Sequence, residues 1–463
     1  MAESGPAAPA VNRAIAEPEL PVYDLVGVGF GPSNLALAIA ATEHCEVAGG
    51  PPLSVRFLER QPAFGWHRGM LLDDATMQVS FLKDLVTLRN PASRFSFLSF
   101  LHDRGRLIDF INHKSLFPLR LEFHDYLEWA AGKVDDLVGW NSEVIKIEPV
   151  IQAGAVVHLD VTAVSGGEVI TYRARNVVLG TGLVPRLPDG VAASDRVWHS
   201  EDLLRRVERF EESNQAHGRL PSRFIVVGAG QSAAEVTSFL HQRYPTAEVC
   251  SVFSRYGYSP ADDSPFANRI FDPGAVDDFY DAPADVKAML VDYHGNTNYS
   301  VVDGELIEDL YRRAYQEKVT GNERLKMLNV SRVRDLIDTP AGVRVVVESL
   351  STGEKTDLEA DVIVYSTGYR PADPYTLLGE VGALCPPDET GRLRLGRDYR
   401  VIGAPELECG IYLQGGTEHT HGLSSSLLSN SAVRAGEILE SIVRRGETAE
   451  LERSLAADPV FAG

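Results

Sequence analysis

Two glycine-rich turns carry the first chemistry legible in the chain. In Gly27-x-Gly29-x-x-Pro32 the two glycines let the backbone turn tightly and approach a pyrophosphate at a helix N-terminus. Pro32 suits the first helical turn, because its missing N–H has no intrahelical partner. The next strand ends at Glu59, where a carboxylate can accept both hydroxyls of an adenosine ribose. Gly228-x-Gly230-x-x-Ala233 is a second turn of this kind, in the standard form, and it opens a helix carrying Gln231 and Ser232. Its following strand ends in Phe253-Ser254-Arg255, with no acid at the tip. An arginine there favours a ribose 2′-phosphate, hence NADPH over NADH. Either turn alone could be a bare strand-to-helix junction. Together, about 200 residues apart and with Thr-Gly turns at Thr181-Gly182 and Thr367-Gly368, they point to a flavoprotein with two dinucleotide sites. The first would take FAD and the second NADPH.

Other chemistry is sparse. The four cysteines, Cys45, Cys250, Cys385 and Cys409, form no Cys-x-x-Cys, so the sequence offers neither a redox dithiol nor a cysteine zinc site. His113 and His124 lie in an aromatic, helical stretch and read as packing or surface residues. His419 and His421 have no evident third ligand, so no metal is expected. There is no credible Ser/His/Asp triad. Trp66, beside His67 and just past the strand that ends at Glu59, could wall a flavin.

The elements that must position these residues follow from hydrophobic runs. Strands are expected at Tyr23–Gly29 and Leu53–Leu58 around a helix that starts after Gly31, then at Val144–Val150, Val156–Val161 and Asn176–Gly182. A second βαβ unit runs from Arg223 through Phe253. Gly257 to Ser300 reads as irregular because it is rich in Asp, Pro and Asn. A helix near Glu305–Glu317, strands near Val330–Ile337, Val343–Val347 and Asp361–Tyr365, and a last helix over Leu427–Arg444 complete the chain. The fold class is α/β: two Rossmann-like dinucleotide-binding domains, the NADPH domain inserted in the FAD domain, plus a small, mainly helical substrate region. The expected division is a disordered tail over 1–20, FAD-binding parts at 21–205 and 366–450, an NADPH domain at 206–365 whose segment 257–300 contacts substrate, and a tail at 451–463. With 463 residues, 44 basic and 65 acidic side chains and a formal charge of −21, the chain repels nucleic acid and anionic membranes. No apolar run approaches the ~18–20 residues that span a bilayer, and Met1–Leu20 lacks the pattern of a secretory signal, so a cytoplasmic location is expected.

Four longer motifs carry a family resemblance. Met77-Gln78-Val79-Ser80-Phe81-Leu82-Lys83-Asp84-Leu85-Val86-Thr87-Leu88-Arg89, Asp262-Asp263-Ser264-Pro265-Phe266-Ala267-Asn268, Thr297-Asn298-Tyr299-Ser300 and Thr420-His421-Gly422-Leu423-Ser424 resemble the N-hydroxylating flavin monooxygenases of siderophore biosynthesis, closest to the L-ornithine N5-monooxygenases. The resemblance runs from about Tyr23 to Val443. It implies that NADPH reduces FAD, that oxygen adds to the flavin as a C4a-hydroperoxide, and that the substrate amine takes the distal oxygen. By family position Gly27, Gly29, Pro32, Glu59, Trp66, His67, Gln78, Val144, Ser426, Leu427 and Leu428 would hold FAD. Gly228, Gly230, Gln231, Ser232, Ala233, Arg255 and Asn298 would hold NADPH, and Lys83, Asn268, Asn298 and Ser429 the amino-acid end of ornithine. Lys83 is apt, since an ammonium pairs with an α-carboxylate. The resemblance also implies a homo-oligomer, often a tetramer. Rival readings are hydroxylation of L-lysine at N6, one methylene longer, and a non-catalytic flavin-binding redox sensor. A disulfide reductase lacks its dithiol here. A Baeyer–Villiger or general flavin-containing monooxygenase carries Phe-x-Gly-x-x-x-His, where this chain has Asp195 in place of the glycine before His199.

Overall fold

The computed structural model describes residues 20–48, 52–297 and 300–457. Two five-stranded parallel sheets organise it. The first runs in spatial order Gly410–Leu413, Asn176–Leu179, Leu25–Val28, Val55–Leu58, Val138–Gly139. The second runs Val197–His199, Val362–Tyr365, Arg223–Val227, Glu248–Val252, Leu325–Leu328. Parallel sheets are covered on both faces, so their central strands must be apolar throughout. Leu25 and Val26 in one, and Phe224, Ile225 and Val226 in the other, are fully buried. The strand Gly410–Leu413 pairs with Asn176–Leu179 only after the whole second sheet has been built, which makes the second unit an insertion in the first.

The chain crosses between the units twice, at Leu183–Pro185 and at Tyr369–Pro371, and these two segments pair antiparallel. Each crossing follows a left-handed glycine, Gly182 at φ 73° and Gly368 at φ 77°. Each unit also carries antiparallel strands: Ser142–Gln152, Ala155–Ser165 and Glu168–Ala174 in the first, Ser331–Thr339, Gly342–Ser349 and Lys355–Ala360 in the second. The aromatic stretch folds as three helices, Phe97–Asp103, Leu107–His113 and Arg120–Gly132, around an edge-on and stacked cluster of Phe97, Phe110, Phe123 and Tyr126. Asp84 fixes the entry to it, its carboxylate accepting from the amides of Val86, Thr87 and Phe97.

Three segments depart from the sequence reading. The stretch Gly257–Ser300 contains two α-helices, Pro273–Asp281 and Ala284–His294. Two of its prolines start helices rather than break them, since Pro273 is the first helical residue and Pro283 the N-cap. The last helix begins at Ser431 and runs to Ala457, past the expected tail boundary at 450, and two 3-10 turns, Leu423–Ser426 and Leu428–Asn430, precede it. Val197–His199 pairs with Val362–Tyr365, so the second sheet takes in residues ahead of 206. Residues 1–19 of the expected N-terminal tail lie outside the described residues. Among the described residues no helix is long and apolar enough to cross a membrane.

Candidate active site

The first turn sits at the carboxyl end of Leu25–Val28, against the start of the helix Pro32–Ala48. Gly29 has φ 80°, and a Cβ there would lie 2.5 Å from the Gly180 carbonyl oxygen. A Cβ on Gly27 would meet the Phe57 ring at 2.2 Å. Around Gly31 there is open space, with nothing within 4 Å of a Cβ. Glu59 Oε2 accepts from the Phe30 amide at 2.6 Å and Oε1 from the Gln61 amide at 2.9 Å. Those two bonds orient the carboxylate and leave lone pairs for two ribose hydroxyls. Turn, open space, helix N-terminus and oriented carboxylate therefore suit an adenine dinucleotide. Asn34, fully buried, donates to the carbonyls of Val28 and Gly29, while its Oδ1 has no partner among the described residues.

Farther along, Trp66 meets His67 edge-on at 4.6 Å and Phe123 at 6.3 Å. His67 is left-handed, φ 49°, and its ring lies 6.2 Å from Tyr369 of the second crossing. Solvent still reaches His67, yet the protein crowding it, with the Arg120 charge second, lowers its pKa and favours the neutral ring. Trp66 and Leu428 pack on the same core as Phe30, whereas Val144 packs on the core of the opposite sheet face. Gln78 is exposed. Ser426 Oγ accepts from the Gly416 amide at 3.2 Å, and Leu427 is the extended residue between the two 3-10 turns.

At the second turn a Cβ on Gly228 would lie 2.4 Å from the Ser366 carbonyl oxygen and 3.1 Å from the Ala233 Cβ, so glycine and alanine together allow the close approach of turn, strand and helix. A Cβ on Gly230 would lie 3.3 Å from the Ser300 Cα, a looser approach. Arg255 is exposed and donates to the Ser300 carbonyl at 2.9 Å, which ties the end of the second strand to the segment over the turn. Gln231 is held at both ends of its amide. Its Nε2 donates to Glu235 at 2.9 Å and its Oε1 accepts from the Asp303 amide at 2.8 Å. Ser232 follows it in the first turn of the helix Gln231–Arg243.

Of the four substrate positions, Lys83, Asn268 and Ser429 fall within the described residues and Asn298 outside them. Lys83 Nζ stands 5.5 Å from the centre of the Phe271 ring, and Phe271 closes the same 3-10 turn, Ala267–Phe271, that bears Asn268. Asn268 Nδ2 donates to the Asp263 carbonyl at 2.7 Å. That turn packs against Leu423–Ser426, which leads into Ser429. Partial burial lowers the Lys83 pKa, with Asp272 acting in the opposite sense. Ser429 is buried and its Oγ has no partner among the described residues. A half-buried ammonium without a carboxylate at hydrogen-bond range and an unused hydroxyl fit an incoming amino acid.

Sequence reasoning missed several residues. Arg120 clamps Glu235 in a bidentate ion pair, and Ser33, Gln414 and Arg434 form a buried network behind the first turn. No local pattern announces contacts between positions so far apart. His421 stacks on Tyr399 at 4.0 Å and bonds the Arg397 carbonyl, so this motif residue is a packing element. Among the described residues no cluster of three or more His, Cys, Asp or Glu could hold a metal.

Residues 21–371 match the L-lysine 6-monooxygenase/L-ornithine 5-monooxygenase family. The chain belongs to this family. The similarity extends over whole proteins. An L-ornithine N(5)-monooxygenase of Burkholderia cepacia is 40% identical over 446 residues, 95% of this chain and 97% of its own length. The ornithine N-hydroxylase of Kutzneria sp. 744, solved with reduced FAD, NADP+ and L-ornithine, is 50% identical and superposes with a TM-score of 0.87 over 92% of this chain and all of its own. The L-lysine 6-monooxygenase of Pseudomonas syringae is 32% identical, with a TM-score of 0.78 over 91% of this chain and 99% of its own. The family match spans both glycine turns and the segments that carry Lys83 and Asn268.

Proposed function

We propose that this family member is an L-ornithine N5-monooxygenase, using FAD, NADPH and oxygen to hydroxylate the side-chain amine and so supply a hydroxamate precursor for siderophore biosynthesis. The observation that carries the reading is the 50% identity, over nearly the whole chain, to an ornithine N-hydroxylase solved with all three ligands. The lysine-directed relative stands at 32%.

Bound FAD, reduced by NADPH, supplies the oxygen transfer. The chain's own residues bind, orient and exclude water. Gly27, Gly29 and Pro32 receive the FAD pyrophosphate and Glu59 its ribose, with Trp66, His67, Gln78, Val144 and Ser426–Leu428 around the rest. Gly228, Gly230 and Gln231–Ala233 receive the NADPH pyrophosphate, and Arg255 the 2′-phosphate. Lys83 pairs with the ornithine α-carboxylate, and Asn268, Asn298 and Ser429 bond its α-amino and carboxylate groups. The first sheet's unit is the FAD-binding domain, the second the NADPH-binding domain, and 257–300 reaches over to substrate. The reactive nitrogen must arrive neutral although a free alkylammonium titrates near ~10.4. None of the residues assigned to substrate is acidic, so none stabilises the protonated form. We place the protein in the cytoplasm and, on family resemblance, as a homo-oligomer.

The test is hydroxylamine formation by the purified protein with NADPH and FAD, ornithine against lysine. Hydroxylated ornithine is expected. Hydroxylated lysine alone moves the reading to the N6 enzyme. Peroxide with neither product overturns the substrate assignment.

A further inference from the structure

The most deeply buried cation among the described residues stands behind the first glycine turn. Arg434, in the first turn of the C-terminal helix, is 0% exposed. Its Nε donates to Gln414 Oε1 at 2.8 Å, one terminal nitrogen to the Ser425 carbonyl, and the other to Ser33 Oγ at 2.9 Å and Ser431 Oγ at 3.3 Å. Every acceptor is neutral, and among the described residues Arg434 makes no ion pair. Glu437, one turn further on, is engaged bidentately by Arg397, both contacts at 3.0 Å. Tyr399 keeps its proton, since burial pushes its pKa up to about 12. A guanidinium removed from water without a counter-anion is costly, and hydrogen bonds to neutral groups repay only part of that cost.

The network leads to one place. Ser33 is the second residue of the helix Pro32–Ala48, directly behind the open space at Gly31. Its hydroxyl oxygen accepts from Arg434, which leaves its own proton free to be donated elsewhere. Gln414 Nε2 donates to the Ser33 carbonyl at 3.0 Å, so the first helical turn is held from two sides. Asn34 Oδ1, buried and without a partner among the described residues, lies in the same turn. Arg434 also holds Ser425 through its other terminal nitrogen and Ser431 through the one that reaches Ser33, and these two residues bracket Ser426–Asn430.

We infer that Arg434 is a positioning residue for FAD: its charge is the buried counterpart of the bound pyrophosphate, transmitted through the Ser33 hydroxyl. It does not touch the cofactor. It polarises and aims Ser33, and it locks the segment holding Leu427, Leu428 and Ser429 to the same helix turn. Pyrophosphate binding and the wall of the flavin and substrate site are thereby one mechanical unit. The inference rests on the FAD assignment of the first turn. Whether the wild-type chain binds FAD at all is therefore measured first, and a failure there is a failure of that assignment.

The experiment uses the full chain, stripped of FAD and reloaded. FAD affinity is read by flavin fluorescence and stability by thermal melting of both forms. Arg434→Met keeps the length of the side chain and removes the charge. FAD affinity is expected to fall by about ten- to a hundredfold, the value of a charge-assisted contact, while the stripped variant loses less melting temperature against the stripped wild type than the loaded variant loses against the loaded wild type. A structural strut behaves oppositely: the stripped variant loses as much melting temperature as the loaded one, and that result overturns the inference. Arg434→Lys, which keeps the charge, should recover part of the affinity. Ser33→Ala should weaken FAD binding too, with little further loss when combined with Arg434→Met. Should Arg434→Met fail to fold, unchanged FAD affinity in Ser33→Ala overturns the inference by itself, and a weakened affinity there upholds it.

Discussion

Arg120 and Glu235, 115 positions apart, form a bidentate ion pair, with 2.9 and 2.6 Å between the guanidinium nitrogens and the two carboxylate oxygens. Their side chains are only 12% and 5% exposed. Arg120 also donates to the Met70 carbonyl, and Glu235 holds Gln231, so the pair fastens the segment around Met70 and the helix Arg120–Gly132 to the helix behind the second glycine turn.

Removing one partner of such a pair leaves a buried charge alone. Glu235→Ala should cost about 3–5 kcal/mol of stability, read by denaturant unfolding. Replacing both residues with apolar ones of similar size should cost much less than the sum of the single changes. In stopped-flow measurements, milder Glu235→Gln should slow flavin reduction by NADPH while sparing FAD binding. Unchanged reduction would confine the pair to stability.

Arg255 is exposed and bonded to Ser300, so it is poised but not committed. Arg255→Ala should raise KM for NADPH about tenfold or more and leave KM for NADH nearly as it is. Equal effects on both nucleotides would move the 2′-phosphate contact to another residue.

Lys83→Ala should still bind FAD and oxidise NADPH. It should release hydrogen peroxide in place of most hydroxylated product at low ornithine. Near wild-type product under those conditions would remove Lys83 from the substrate site.

His421 supplies a pH dependence. Burial, the largest effect, lowers its pKa to about 4, the Arg397 carbonyl acting in the opposite sense and the charges of Arg397, His419 and Arg434 reinforcing the shift. The unfolded chain therefore binds this proton more readily than the folded one. Its contribution to stability is full above pH ~6.5 and is lost as pH falls toward 4, up to about 3 kcal/mol. Melting curves between pH 7 and 4 should show that acid limb, and His421→Phe should flatten it. An unchanged limb would assign the loss to other groups.

The dinucleotide architecture was legible in the sequence because its signals are local. A glycine turn joins one strand to one helix, and Glu59 is set by the length of its own strand. Apolar runs such as Arg223–Val227 declare a sheet buried on both faces whatever lies next to it. The motifs around Lys83 and Asn268 likewise named their segments. Helices begun by Pro273 and Pro283 were hidden because the same residue types that open helices also populate loops.

Local spacing along the chain is enough to read the two nucleotide turns, the class of cofactor and the family. What stands behind the turns is settled by folding. Whether Ser33 meets Arg434, whether Glu235 meets Arg120, and which segment brings Ser429 toward Lys83 depend on elements separated by a hundred residues or more. Such contacts leave no periodicity in the chain, because a buried charge acquires its role from whichever neighbours folding places around it.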